Sequence, residues 1–379
     1  MGLLLPLVLC ALAVGSGATS SPQQVLNPSH LLSHDCNNSY VLSFADITLE
    51  HINKDRKDGY VLSLNRASDV REYREGAKIS TYYFTLDVLE TGCHVLSKKP
   101  WKKCEGRLLH ESVYGQCKSL LYIHRTARIL YTLSYNCTLR PVSRRRIQQL
   151  CPECPSPIDV SDPKVLEAAT ESLAKYNRES TLKQYSLVKV TRASSQWAFG
   201  PSYFVEYLIK EARCTKFQFS CIFQSPASEP VGLCKGSLSR NRIKTFVSVT
   251  CNFFESQGPA FGDENSAVDQ GSAHLPKVED SQQKKAGPTY APPIATTGPK
   301  GSVQYLPDLD DDKSQSSRES FPVHLDLTTN PQGEDLDISF LFSVPWRETM
   351  MVLPFPSKEH RSAECPGPAK EPNPLVLPP

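Results

Sequence analysis

After residue 14 the chain has no run approaching the roughly 20 consecutive apolar residues that a membrane-spanning helix needs. Charge of one sign is scarce too. Lys and Arg number 42 against 40 Asp and Glu, a net charge of +2, too small to draw in nucleic acid or an anionic membrane. The usual catalytic signatures are missing: no GxSxG elbow, no HExxH zinc helix and no phosphate-cradling loop. There is one mature CxxC and no second copy to complete a zinc ribbon. These absences exclude the common enzyme classes and call for no cofactor. They leave a soluble binding protein as the expectation.

What is present is cysteine. The chain has 379 residues and 13 cysteines, a length that fits two or three domains. Leu3 to Val14 form a short apolar run followed by the small residues Ser16 and Ala18. That reads as a secretory signal over residues 1–18, too short to span a bilayer. Its removal takes Cys10 away and leaves twelve cysteines, an even number suited to an oxidising, extracellular compartment. The sequons Asn37-Asn38-Ser39 and Asn136-Cys137-Thr138 mark Asn37 and Asn136 as glycosylation sites of a secreted glycoprotein.

Eight of the cysteines repeat as two quartets, Cys93, Cys104, Cys117, Cys137 and Cys214, Cys221, Cys234, Cys251. In both, the second and third members are thirteen positions apart, and the third lies in Gly115-Gln116-Cys117-Lys118 or Gly232-Leu233-Cys234-Lys235. Eleven residues before each first cysteine an aromatic pair, Tyr82-Tyr83 or Tyr203-Phe204, opens a strand-like run. Internal duplication explains all three correspondences. Each copy begins with a helical pattern. In the first, Val41, Phe44, Ala45, Thr48, Leu49 and Ile52 recur at helical spacing. In the second, Asp162 caps and Pro163 occupies the first turn ahead of Val165, Leu166, Ala169, Leu173 and Tyr176. Four alternating β-branched or aromatic runs follow each helix. The expected module is therefore α+β, an antiparallel sheet wrapped on one helix. Hairpins bring sequence neighbours together, so sequential pairing is favoured: Cys93–Cys104, Cys117–Cys137, Cys214–Cys221 and Cys234–Cys251.

Between the copies lies Cys151-Pro152-Glu153-Cys154-Pro155. In an oxidising compartment Cys151 and Cys154 are expected to bond to each other, and the small ring plus proline's fixed φ would hold Glu153 out on a stiff loop. Such a loop suits a protease-inhibiting element, preorganised so that docking costs little entropy. It also suits a linker that is merely stiff, and spacing alone favours neither.

One helix followed by strands, with disulfides in the last two hairpins, resembles the cystatin fold, and two tandem copies resemble the fetuins. The resemblance covers Cys36 to Phe254. It implies a bridge between Cys36 and Cys365, tying the tail to the first copy. It also implies the inhibition of astacin-family zinc metalloproteases, since fetuins with this linker use it to enter the protease cleft. Glu153 would then be a ligand to the partner protease's zinc, in the position its nucleophilic water needs. The family motif carries Asp at the centre, and the extra methylene of Glu153 moves the carboxylate outward by about a bond length. Gln196-Trp197-Ala198-Phe199-Gly200-Pro201 falls where papain-inhibiting cystatins carry Q-x-V-x-G. This chain keeps Gln196 and Gly200 but has Ala198 in place of the valine. Arg71 to Lys78 holds the equivalent place in the first copy without the motif. That favours a composite site, linker plus hairpin, on one partner. By the same resemblance the target is the egg protease that hardens the zona pellucida, and the protein is a monomer circulating in plasma. A papain-like cysteine protease inhibitor and a mineral or ligand carrier are the alternatives.

The expected organisation is a signal at 1–18, cystatin-like copies at 19–150 and 156–256 around the 151–155 linker, and a largely disordered tail at 257–379. From Ser256 the chain carries 18 of its 30 prolines and one cysteine, too little apolar surface to offset chain entropy. The Asp308 to Asp312 acidic run lacks the turn and distal Glu of a calcium loop and reads as solvated. Phe321–Leu327, Leu336–Val344 and Met350–Phe355 are apolar enough to pack as short arms. The basic runs Lys98-Lys99-Pro100-Trp101-Lys102-Lys103 and Arg144-Arg145-Arg146 read as solvated faces able to attract an acidic partner.

Overall fold

A computed structural model of the protein describes residues 31–180, 183–198, 200–212, 229–241, 243–254, 300–307, 335–342, 348–356 and 361–371. The expected signal, the Cys214–Cys221 pair, Phe199, the acidic run from Asp308 and the 321–327 piece lie outside the described residues. Among the described residues no helix is long and apolar enough to cross a membrane.

Two sheets form, each with its own helix. In the first, β1 (Leu31–Ser33), β2 (Tyr60–Glu75), β3 (Ile79–His94), β4 (Val113–His124) and β5 (Ile129–Pro141) lie in chain order. A tail strand, β11 (Lys300–Tyr305), pairs parallel with β5. Helix α1 (Ser39–Asp55) starts where Asn38 accepts a hydrogen bond from the Tyr40 amide. Its Val41, Ala45, Leu49 and Ile52 are buried against Leu62, Leu64, Phe84, Leu86 and Leu121 of the sheet. Helical spacing thus puts one apolar stripe onto alternating strand positions.

The second sheet repeats this plan. Its order is β10 (Thr245–Phe253), β9 (Gly232–Arg240), β8 (Pro201–Ala212), β7 (Gln184–Trp197) and β6 (Ser156–Pro157), all antiparallel. Helix α3 (Pro163–Glu179) is capped by Asp162, which accepts from the Lys164 amide, with Pro163 in the first turn. It buries Val165, Ala168, Ala169 and Leu173 on Val190, Val205, Tyr207 and Leu238. Gly236 permits the close approach, since a Cβ there would stand 2.2 Å from the Ser172 hydroxyl oxygen.

The copies share a device that apolar periodicity does not reveal. Near the end of α1, Asn53 donates from Nδ2 to the Leu62 carbonyl and accepts the Leu62 amide, both at 2.8 Å. Near the end of α3, Asn177 does the same with Tyr185, at 2.8 and 2.9 Å. In each copy an amide side chain stands in for a backbone and joins helix to first strand. Asn53, one residue past the apolar stripe, lies inside the helix and is buried.

Described parts of the tail dock on the first sheet. Cys36 bonds to Cys365 with their Cα atoms 5.2 Å apart. The β12 (Asp335–Asp337) and β13 (Thr349–Met351) ribbon and the residues after it bring Ile338, Met350 and Leu353 onto Tyr83, Leu120, Tyr122 and Leu133. Those sheet residues form a cluster separate from the one that receives α1, so tail and helix enclose the sheet between them.

The two sheets meet through charge. Arg107, following the Cys93–Cys104 loop, grips Glu206 of β8 with both terminal nitrogens, at 3.2 and 3.1 Å. Tyr60 donates to the same carboxylate, and Lys235 lies 3.3 Å from it. The Tyr60 ring packs against both Arg107 and Arg192. Arg192 in turn reaches Glu90 at 2.5 Å and the Glu111 carbonyl at 2.9 Å. Burial pushes the Glu206 carboxyl up, but Arg107, with Lys235 and Tyr60, outweighs it and holds the group down to about 2. Nearby His94 is 1% exposed and stacks on Phe254. Burial lowers its pKa to about 4.

Acid should loosen this contact, both groups acting with one sign. Glu206 contributes fully above its ordinary 4.5 and loses that contribution as pH falls through about 2. His94, kept neutral, counts against the folded state as pH drops from 6.5 towards 4. Denaturant unfolding at pH 7 and pH 3 should show the loss, and it should be smaller in Glu206→Gln. Arg107→Ala leaves a buried carboxylate without its main partner and should cost about 3–5 kcal/mol at pH 7.

Candidate functional site

The segment joining the two sheets is built as a clamp. Helix α2 (Arg144–Leu150) is capped by Ser143, which accepts from the Arg146 amide, and buries Ile147. The Cys151 amide closes the helix on the Ile147 carbonyl at 2.7 Å. There Pro152 stops the helix, having no amide hydrogen to continue it. The chain turns instead, with the Cys154 amide donating to the Cys151 carbonyl at 3.0 Å. Cys151 and Cys154 are disulfide-bonded across this turn, Cα atoms 5.3 Å apart. Cys154 packs on Leu89, Tyr114, Val142 and Ile147, while Pro152 and Glu153 project into solvent. The ring is thus anchored on one side and open on the other.

After Pro155 the chain is captured by the second sheet. Ser156 and Pro157 pair with Ser195 and Ser194, and the Ile158 amide donates to the Ala193 carbonyl at 3.2 Å. Gln196 completes the capture, its Nε2 donating to the Glu153 carbonyl at 2.5 Å. The tip of the turn is therefore tied to the strand that leads into the β7–β8 hairpin.

At that hairpin Trp197 pairs with Pro201 and is 80% exposed, and Ala198 is exposed beside it. Gly200 has φ +136°, and a Cβ there would stand 2.1 Å from the Arg240 carbonyl oxygen. Only glycine lets the hairpin seat against the β9–β10 turn. That turn is a third part of the edge which the sequence reading missed. Asn241 folds it by accepting the Ile243 and Lys244 amides at 2.9 and 2.6 Å. Ile243 is left 95% exposed. The available signal was one aliphatic residue in the polar stretch Ser239 to Lys244, with Asn241 as the turn former.

Linker turn, β7–β8 hairpin and β9–β10 turn form a convex edge. It presents one carboxylate, on Glu153, beside the exposed apolar side chains Trp197 and Ile243. Such an edge fits a cleft, and its carboxylate can give an oxygen to a metal or cation within. A cleft of about 570 Å³ lies elsewhere, between the sheets, lined by Asp58, Tyr60, Glu90, Lys189, Arg192 and Tyr305. Among the described residues no group of three or more His, Cys, Asp or Glu is arranged to hold a metal.

The remaining site residues stand apart from this edge. Exposed Asn37 precedes α1. Asn136 lies on β5, where its Oδ1 accepts from the Ser302 hydroxyl at 3.0 Å. Cys93–Cys104, Cys117–Cys137 and Cys234–Cys251 are bonded within their sheets.

Comparison with known proteins gives consistent results. The family model described as Cystatin domain matches residues 153–242. The chain is 64% identical to fetuin-B of Homo sapiens over 384 residues, a match covering 100% of each. Mouse fetuin-B in complex with crayfish astacin is 50% identical, with a TM-score of 0.72 over 92% of this chain and 98% of that one. Mouse fetuin-B in an inhibitory complex with human meprin beta is 50% identical, with a TM-score of 0.73 over 92% of this chain and 100% of that one.

The clamp can be tested in the free protein. Gln196→Ala removes one hydrogen bond, a contribution of about 0.5–1.5 kcal/mol. Amide exchange at Glu153 and Cys154 should quicken by up to about tenfold, while Trp197→Ala, which removes no bond to the turn, should leave it unchanged.

Proposed function

The chain belongs to the fetuin-B family, and from that premise we propose that it is a secreted inhibitor of astacin-type zinc metalloproteases, acting through its convex edge. One observation carries the reading. Glu153 is the exposed carboxylate on a disulfide-closed turn, and that turn is itself hydrogen-bonded to the strand leading into Trp197. Cysteine ring, Pro152 and Gln196 restrict the turn before any partner arrives, so little conformational entropy remains to be lost on docking. A catalytic zinc keeps a position open for the water it activates. Glu153 entering that position takes the place of the water. Trp197 and Ile243 fill the cleft on the side of the second sheet, where buried aromatic anchors contribute most to affinity.

The inhibitor itself is not an enzyme. It blocks by occupancy, and its Cys151–Cys154 ring keeps the inserted backbone in a turn instead of the extended form that a protease cuts. The fertilisation setting, with the zona-hardening egg protease as target, and circulation in plasma belong to this proposal through the family resemblance.

The alternatives have less support. A papain inhibitor working through the hairpin would use Gln196 outward, yet its side-chain amide is turned inward onto the Glu153 carbonyl. A mineral carrier would need free acidic strand faces. Asp87 is held by Arg66 and Gln116, and Glu90 by Arg192 and Tyr305.

Inhibition of purified astacin, with papain as control, tests the proposal. Glu153→Ala should weaken inhibition of astacin by about 30- to 1,000-fold, the range of a central anchor. Glu153→Asp should retain most of it, and papain activity should be unaffected by any of the proteins. Equal potency of the Glu153→Ala and parent proteins would show that the carboxylate does not meet the zinc.

A further inference from the structure

The convex edge makes no use of the lysine run between Cys93 and Cys104. Twelve residues here carry Lys98, Lys99, Lys102 and Lys103 with no Asp or Glu, in a chain whose net charge is only +2. All four lysines are exposed. Among the described residues Lys98, Lys99 and Lys103 have no carboxylate within ion-pair distance, whereas Lys102 reaches Asp46 at 2.6 Å.

This loop is built rather than loose. The disulfide closes it with Cα atoms 5.7 Å apart, and the Gly92 amide donates to the Glu105 carbonyl at 2.9 Å behind the bridge. Two single 3₁₀ turns, Val95–Ser97 and Trp101–Lys103, fold its interior. Between them Lys98 sits at φ 53°, its amide bonded to the Val95 carbonyl. Left-handed backbone at a lysine costs energy, and the hydrogen bonds around it keep the side chain outward. The Lys102 and Lys370 ammonium groups lie 5.4 and 4.7 Å from the Trp101 ring centroid. Lys370 comes from the tail, its amide held by the Asn65 carbonyl at 2.9 Å. A fifth cation from a distant stretch of chain therefore joins the four of the loop.

Like charges gathered on one loop repel one another, and among the described residues one carboxylate, Asp46, lies within ion-pair distance, shared by Lys102 and Lys370. Most of the loop's charge is therefore open to an external polyanion. We propose that loop 93–104 with Lys370 is a docking surface for sulfated polysaccharide chains. A linear polymer with a sulfate or carboxylate on nearly every sugar matches several point charges on a preformed loop. Each contact releases a condensed counterion. Structural disulfides place the protein in an oxidising, extracellular setting, where such polymers are the abundant polyanions. Trp101, the loop's large aromatic, is half-buried with lysines packed on its ring and does not project as a lipid-inserting side chain would. The surface belongs to the first sheet's β3–β4 connection and shares no residue with the convex edge. It stands whether or not the edge inhibits a protease.

Immobilised heparin and the full-length protein test this. The parent protein should stay bound above about 0.15 M salt, the physiological ionic strength. Selectively desulfated heparin should fail to compete. The triple variant Lys98→Ala, Lys99→Ala, Lys103→Ala should bind at least tenfold more weakly, and its log affinity should fall about two to three units less steeply with log salt. Its circular dichroism should match the parent and its thermal unfolding should come no earlier, since among the described residues none of the three makes an ion pair. Elution of the parent below physiological salt would overturn the proposal. So would unchanged affinity in the triple variant, or loss of binding in Arg144→Ala, Arg145→Ala, Arg146→Ala instead. Tighter binding to phosphatidylserine vesicles than to heparin would assign the surface to lipid and equally overturn it.

Discussion

The carboxylate of Glu206 holds the two halves of this protein together. Arg107 of the first copy grips it from both nitrogens, Tyr60 donates to it, and the Tyr60 ring packs against Arg107 and Arg192. A buried carboxylate is costly to leave alone and well placed only in one geometry, so this contact fixes the position of one sheet against the other as well as joining them. The linker turn inherits that constraint. One flank of it packs on Leu89, Tyr114 and Val142 of the first copy, and the other pairs with β7 of the second. If the sheets could swing, the turn could not stay seated on both.

Rigidity then passes outward in steps. The disulfide and Pro152 shape the turn, β6 fastens its exit, and Gln196 ties its carbonyl to the hairpin strand. Gly200 seats that hairpin on the β9–β10 turn. Each step uses backbone or a short polar side chain, leaving Glu153, Trp197 and Ile243 free at the surface. Affinity for a cleft depends on this separation: the groups that hold the shape are not the groups that face the partner. The same separation distinguishes the lysine loop, whose disulfide and 3₁₀ turns carry the shape while its ammonium groups carry the charge.

Duplication runs deeper than the cysteines. Asn53 and Asn177 perform the same backbone mimicry at equivalent places, and each helix buries a stripe on its own sheet. The copies have diverged where function is proposed. In the first, the β2–β3 turn around Gly76 is polar and carries no aromatic tip. In the second, the matching hairpin carries Trp197. The first copy has instead gained the tail, which covers its sheet and adds β11 along its edge. One copy presents the site while the other braces it.

Periodicity, caps and cysteine spacing by themselves determined a good deal. They specified two helices with most of their buried stripes (Leu166, expected in the second, is exposed), the strand runs after each, the repeat, and the CPECP turn as an exposed element. All of these are local, because a helix stripe needs neighbours only three or four residues away and a small ring closes on itself. Tertiary structure alone decided the rest. Gln196 reaching Glu153, Arg107 reaching Glu206, Ile243 standing beside the hairpin and Lys370 lying over Trp101 join residues from 40 to 270 positions apart along the chain. No local pattern encodes such meetings, since they follow from how two sheets and a returning tail pack. The sequence specified the linker turn and the hairpin, and the packing of the sheets added the β9–β10 turn beside them.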